Sequence, residues 1–369
     1  MLLGNAPALA AQSPPLLSGL WVTQKMPAND FELSSFAKAV AANPNLTGIC
    51  LHIGWKDIEK QSGKLDFSAI DKTVEVLRQI GRKYELSVKP GAETPAYVYE
   101  EGAKPFLTRA NNPHRPNFGQ TLTIPVPWDA LYQRNFSRVI EKLGRRYAAD
   151  PLCVSVVLTC ANFQSAEMHL PQTPEDRAKW KGMGNYEEKL LQVYKKYTDE
   201  WAKAFPKQAI SLHLSKVLDL PPSFNERIIE YGLSKYPERF TIQNDQLTGR
   251  KEDIAVMAYT LVQKYGDRAH HGFQSAGAFV HGGERMGSME MAALNMVHAK
   301  GEYWELWHDD GLSVEVSENV SATWKEAIDL GYDAYKKMLI SKGKYRDRGE
   351  DGYAEKVRRR RKAAQTEAE

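Results

Sequence analysis

The residues of this 369-residue chain with the clearest chemical potential are carboxylates that follow apolar runs. Val154-Ser-Val-Val-Leu-Thr-Cys-Ala-Asn162 leads into Phe163-Gln-Ser-Ala-Glu167, so an amide and a carboxylate stand directly after a segment that is otherwise core. Further on, Glu302-Tyr-Trp-Glu305-Leu-Trp307 alternates so that Tyr303, Glu305 and Trp307 share one face of a strand. A carboxylate between two aromatics is costly to bury without a partner or a task. Two such groups suit cleavage of a glycosidic bond, one protonating the leaving oxygen while the other attacks carbon or activates water. Aromatic faces suit the same substrate class because sugar C–H surfaces stack on them, and Trp55, Trp128, Trp304 and Trp307 are available for this.

Polar residues at the ends of other apolar runs extend the set. Asn162, His213, Asn244 and Gln274 read as hydrogen-bonding partners of sugar hydroxyls, Trp55 and Trp307 as stacking walls, and His52, Lys89 and Asp245 as further substrate contacts. Neither His52 nor His213 belongs to a His-x-x-x-His or clustered-carboxylate spacing, so both read as pocket walls, and no metal or organic cofactor is expected. Lys89 opens another chemistry, since a desolvated amine at a strand end can form a Schiff base, as a lyase or aldolase would need.

These residues need elements to position them. Eight short apolar runs alternate with amphipathic stretches: Leu20 to Lys25, Thr47 to Trp55, Leu86 to Gly91, Cys153 to Asn162, Ala209 to Ser215, Phe240 to Asp245, His271 to Ala276 and Glu302 to Trp307. The intervening stretches carry helical spacing, as in Phe67 to Tyr84 and Tyr186 to Phe205, with Asp66 and Asn185 as expected N-caps. Eight βα units predict a single α/β domain, a (β/α)8 TIM barrel over residues 18–342, because parallel strands need both faces covered and eight close without an edge. The candidate residues then gather at the C-terminal ends of the strands. The Pro-, Asn- and Gly-rich stretch from Thr94 to Pro127 is expected to be a long loop on that same face.

Composition sets outer bounds. A 42% hydrophobic and 26% charged chain can bury a large core, and no apolar run approaches the roughly 18 residues of a membrane span. The net charge of +3 comes from Lys356, Arg358 to Arg361 and Lys362; without them 43 basic groups face 46 acidic ones. That reads as a charged tail over 343–369 rather than a nucleic-acid face. Cys50, Cys153 and Cys160 read as buried strand thiols. Residues 1–17 contain Ala8-Leu9-Ala10, a small-residue pattern like the end of a signal peptide, so a secreted or periplasmic protein is expected, with a cytoplasmic one as the alternative. Oligomeric state is not legible.

The stretch Ile53-Gly-Trp55-Lys-Asp-Ile-Glu59 through Gly63-Lys-Leu-Asp66-Phe67-Ser-Ala-Ile-Asp71 resembles one common to clan A glycoside hydrolases, notably the β-galactosidase-like barrels. Pro127-Trp128-Asp129, then Leu143-Gly-Arg-Arg-Tyr147, then Asn162 and Glu167, is similar to that clan's run into its fourth strand and its acid/base glutamate. The resemblance implies a retaining (β/α)8 hydrolase with Glu167 as acid/base. The chain departs from the clan in two ways. There the acid/base follows Asn immediately and the nucleophile ends strand seven, whereas here Glu167 lies five residues past Asn162 and strand seven ends Phe273-Gln274-Ser275. The expectation is a divergent glycosidase acting on a saccharide, with Glu167 as general acid and Glu305 as nucleophile or base. The alternative is a barrel that binds sugar without cleaving it.

Overall fold

The structure, a computed structural model, describes residues 16–112, 116–251, 257–281 and 283–346. Eight parallel strands close a barrel: β1 (Gly19–Lys25), β2 (Leu46–Gly54), β3 (Lys83–Lys89), β4 (Cys153–Val157), β5 (Ala209–Leu214), β6 (Phe240–Leu247), β7 (His270–Ser275) and β8 (Tyr303–Leu306). Each pairs with its neighbour in sequence and β8 returns to β1, with Trp21 opposite Glu305 and Thr23 opposite Cys50. Helices cross over between strands, among them Asp30–Ala42, Ser68–Gln79, Ala130–Tyr147, Tyr186–Ala204 and Pro222–Lys235. The expected single (β/α)8 barrel is what forms. The basic run at 356–362 and the Ala8-Leu9-Ala10 segment lie outside the described residues.

Period-two alternation divides each strand into an outward apolar face and an inward one. Outward, Ile49, Leu51, Ile53, Leu86, Val88, Ile210, Leu212 and Ile242 are buried under the helices in one continuous core. Inward, the N-terminal end of the barrel is plugged by Leu17, Trp21, Ala209 and Tyr303. Gly48 and Gly272 make that plug possible: a Cβ at either would stand within about 2.5 Å of the Trp21 or the Tyr303 ring. Above the plug the lumen turns polar.

Five local expectations are corrected. β4 ends at Val157 rather than Asn162, because side chains take over the backbone partners: Asn162 Oδ1 accepts from Cys160 N (2.7 Å), and its Nδ2 donates to the carbonyls of Ala166 (2.6 Å) and Glu167 (2.7 Å). β3 begins at Lys83, three residues early, which brings Glu85 into the barrel. Asn185 does precede its helix but with φ of 42° and no capping side-chain bond, while Asp66 reaches Ser68 N (2.9 Å) from one residue outside the cap position. The stretch from Thr94 to Pro127 is no plain loop, since Ala96–Glu100 is helical and Pro105–Arg109 pairs antiparallel with Thr121–Pro125.

Candidate active site

The inward positions above the plug form a connected polar cluster. Tyr303 donates its hydroxyl to Gln243 Oε1 (2.7 Å), fixing the amide so that Nε2 can donate to Glu305 Oε2 (2.8 Å) and Asp245 Oδ1 (2.9 Å). Glu305 Oε1 accepts from Thr23 Oγ1 (2.5 Å), and Gln274 Nε2 donates to the same hydroxyl oxygen (2.8 Å). Asp245 Oδ2 stands 2.8 Å from His213 Nδ1. Burial pulls the His213 imidazole down, but the Asp245 carboxylate, with Glu85 and Glu305 behind it, more than offsets this and raises it to about 9. His213 and Asp245 therefore form a buried ion pair at neutral pH. On the β3 side Glu85 accepts from Ser155 Oγ (2.6 Å); burial, helped by the charge of Glu305, pushes its carboxyl up to about 7.

Glu167 stands at the mouth, on the loop after β4. That loop is clamped to the barrel rim twice, by Ala92 N donating to Phe163 O (2.9 Å) and Met168 N donating to His213 O (3.0 Å). The Asn162 side chain braces it from within, and Ser165 Oγ donates to Glu167 Oε2 (3.2 Å). The half-buried Glu167 side chain lines a cavity of about 590 Å³ with Gln164, Ser165, His169, Lys216 and Gln246, and with Asn111 and Asn112 from the tip of the Pro105–Arg109 hairpin. Burial first, and then the charge of Asp245, push its carboxyl up to about 7, against the pull of Ser165, Gln246 and His213. A carboxyl still protonated near neutrality beside an ion-paired carboxylate is the division of labour that acid/base chemistry needs.

Several sequence-derived roles change. Glu305 faces the lumen but lies beneath the mouth, 1% exposed, with each oxygen already accepting a hydrogen bond; Asp245 likewise has both oxygens engaged, but it is the carboxylate whose charge acts on Glu167. Burial raises the Glu305 carboxyl, and the charge of Asp245 adds to this against the pull of His213. Trp55 is no stacking wall: it is fully buried against Tyr132 and Phe136, its indole N–H donating to Glu59 (2.8 Å). Trp304 is likewise core, and Trp128 packs edge-on against Trp180. Asn162 spends its amide on its own loop. Asn244 has the wrong parity, pointing out of the lumen, buried, with Oδ1 accepting from Gln246 N (2.8 Å). Trp307 does keep an open face: it is 41% exposed and anchored by its N–H to Ser275 O (2.6 Å). His52 and Lys89 lie at the mouth on β2 and β3; burial and then the charge of Lys89 hold His52 well below the usual imidazole range.

The sequence reading missed Glu85, Gln243 as organiser of the cluster, and the cavity residues His169, Lys216 and Gln246. Lys83, Glu85, Ser87 and Lys89 alternate with apolar residues, a signal that a strand begun three residues earlier would have exposed.

Residues 41–204 match the glycoside hydrolase family 42, described as Beta-galactosidase. No curated protein matches the sequence. Among solved structures, the β-galactosidase of the psychrophilic Marinomonas ef1 superposes with a TM-score of 0.56 at 11% identity, covering 88% of this chain and 60% of that one. The catalytic domain of β-amylase from Paenibacillus polymyxa gives 0.58 at 10%, covering 85% and 98%. The β-galactosidase of the haloarchaeon Halorubrum lacusprofundi gives 0.54 at 12%, covering 84% and 58%. The chain thus spans about three fifths of the length of the β-galactosidases it superposes on, and at these identities the likeness is one of fold. The chain is a (β/α)8 barrel whose residues 41–204 are similar to glycoside hydrolase family 42, described as Beta-galactosidase.

Proposed function

We propose that this barrel hydrolyses a glycosidic bond of a saccharide, with Glu167 as general acid and Asp245, not Glu305, as the second carboxylate. The carrying observation is the Glu167 carboxyl itself, half-buried in the mouth cavity and raised to about 7 by burial and by the charge of Asp245. Glu167 would give its proton to the leaving oxygen. Asp245, held by protonated His213 and by Gln243, would supply the negative charge that attacks the anomeric carbon or draws a proton from water. Trp307 offers a face on which a sugar ring can stack. Export fits a saccharide substrate, and cell fractionation with an antibody tests it.

Assay of the purified chain against a panel of chromogenic aryl glycosides tests the chemistry. Glu167→Gln and Asp245→Asn are each expected to lower kcat by at least about 100-fold with unchanged circular dichroism. Near-parental turnover in either variant removes that residue from the mechanism. A second reading, sugar binding without cleavage, is favoured by the end of β7, where Gln274 donates to Thr23 in place of a carboxylate. Calorimetric saccharide binding with no release of reducing sugar over days would decide for it.

A further inference from the structure

Beneath the proposed acid pair, β2 and β8, the two neighbours of β1, bring three dissimilar donors together. Cys50 Sγ, a ring nitrogen of His52 and a carboxylate oxygen of Glu305 all lie within 4.8 Å of one another, and among the described residues no other group of His, Cys, Asp and Glu does this. Cys50 and His52 are successive inward positions of β2. Glu305 reaches them across β1, where Thr23 is the register partner of Cys50.

The burial of the group is that of a built site. Cys50 is fully buried and Glu305 nearly so, while His52 closes the group from above with its Nε2 enclosed and without a hydrogen-bond partner. Thr23 and Gln243 fix the Glu305 carboxylate, one on each oxygen, and each oxygen retains a second lone pair. Metal-binding carboxylates and imidazoles are oriented by such outer partners.

We propose that Cys50, His52 and Glu305 bind a divalent transition metal of the zinc type inside the barrel. Thiolate, imidazole and carboxylate together form a zinc donor set, softer than a calcium or magnesium site would use. Bond lengths of about 2.0–2.3 Å in a tetrahedral site put donors about 3.3–3.8 Å apart, so each donor need move inward by less than an ångström. The cations facing His52 are Lys25, Lys89 and His213. Against them the lumen sets the Asp245 carboxylate beside His213, and metal binding would add the charges of the Glu305 carboxylate and the Cys50 thiolate it coordinates. Coordination breaks the Cys50 S–H bond and forms the metal–sulfur bond, and the proton leaves to solvent; no redox partner is involved. The ligand set contains neither Glu167 nor Asp245, although Gln243 joins Glu305 to Asp245.

The test is metal binding by the chelator-treated full chain, read without reference to activity. Titration with Zn²⁺ against a chromophoric competitor is expected to give one equivalent per chain, and Co²⁺ to give a thiolate-to-cobalt charge-transfer band. Cys50→Ala is expected to abolish the band, and Cys50→Ala and His52→Gln to weaken zinc binding by at least about tenfold. Should Cys50→Ala fail to fold, the cobalt band of the parent chain and the His52→Gln titration carry the decision. Absence of the band in the parent chain, or zinc binding of parental strength in His52→Gln, overturns the proposal.

Discussion

Glu167 shows how one residue's chemistry follows from its surroundings rather than its type. Burial and the charge of Asp245 hold its proton to about pH 7, so the acid form is present below that pH and is lost as pH rises through it. We expect kcat/KM for aryl glycosides to fall along a basic limb near pH 7, and Asp245→Asn, which removes the raising charge, to move the limb of its residual activity to lower pH. A limb that stays in place on that substitution would show that another group titrates. The same scale explains what the sequence could not rank. Glu305 and Glu167 both follow apolar runs, yet one lies under the lumen surface with both oxygens engaged and the other opens into the cavity. Depth along a barrel axis leaves no mark on the local pattern.

The loop after β4 is the element that decides whether Glu167 reaches the mouth. Gly91 supports it from the end of β3, with φ of 63° and a missing Cβ that would stand 2.3 Å from Asn162 O. Gly91→Ala is therefore expected to cost about 2 kcal/mol or more in chemical denaturation, from strain and from displacement of the loop. Asn162→Ala would leave Cys160 N and the carbonyls of Ala166 and Glu167 without their partner, at about 1–3 kcal/mol. Both should also lower kcat, since both release Glu167; a variant that loses stability while turnover is untouched would separate the loop from the chemistry. Strand positions were legible because β-branched and apolar runs between amphipathic stretches have few other solutions. Strand ends were not, because side-chain bonds such as those of Asn162 compete with the ladder for the same backbone groups.

Across the whole molecule, His213, Glu167, Glu85 and Glu305 bind protons more tightly folded than unfolded, and the consequence is a stability that declines with pH. His213, raised to about 9, contributes stability that is complete below its ordinary value near 6.5 and is lost as pH rises through 9; Glu167, raised to about 7, disfavours the fold increasingly as pH rises from about 4.5 to 7. The thermal midpoint is expected to fall between pH 6 and 9, and a midpoint that climbs over that range would contradict the His213–Asp245 ion pair. The sequence by itself determined the closed eight-strand barrel, because alternating βα units whose strands need both faces covered leave no simpler packing. It also determined which residues stand near strand ends. Only the tertiary structure decided which of them meet: Trp55 went to the core, Asn244 turned outward by parity, and Asp245 took a partner from β5. Cys50, His52 and Glu305 converged from strands some 250 residues apart in the chain. Barrel closure makes first and last strands neighbours, so the contacts that build the site have no spacing for a linear reading to find.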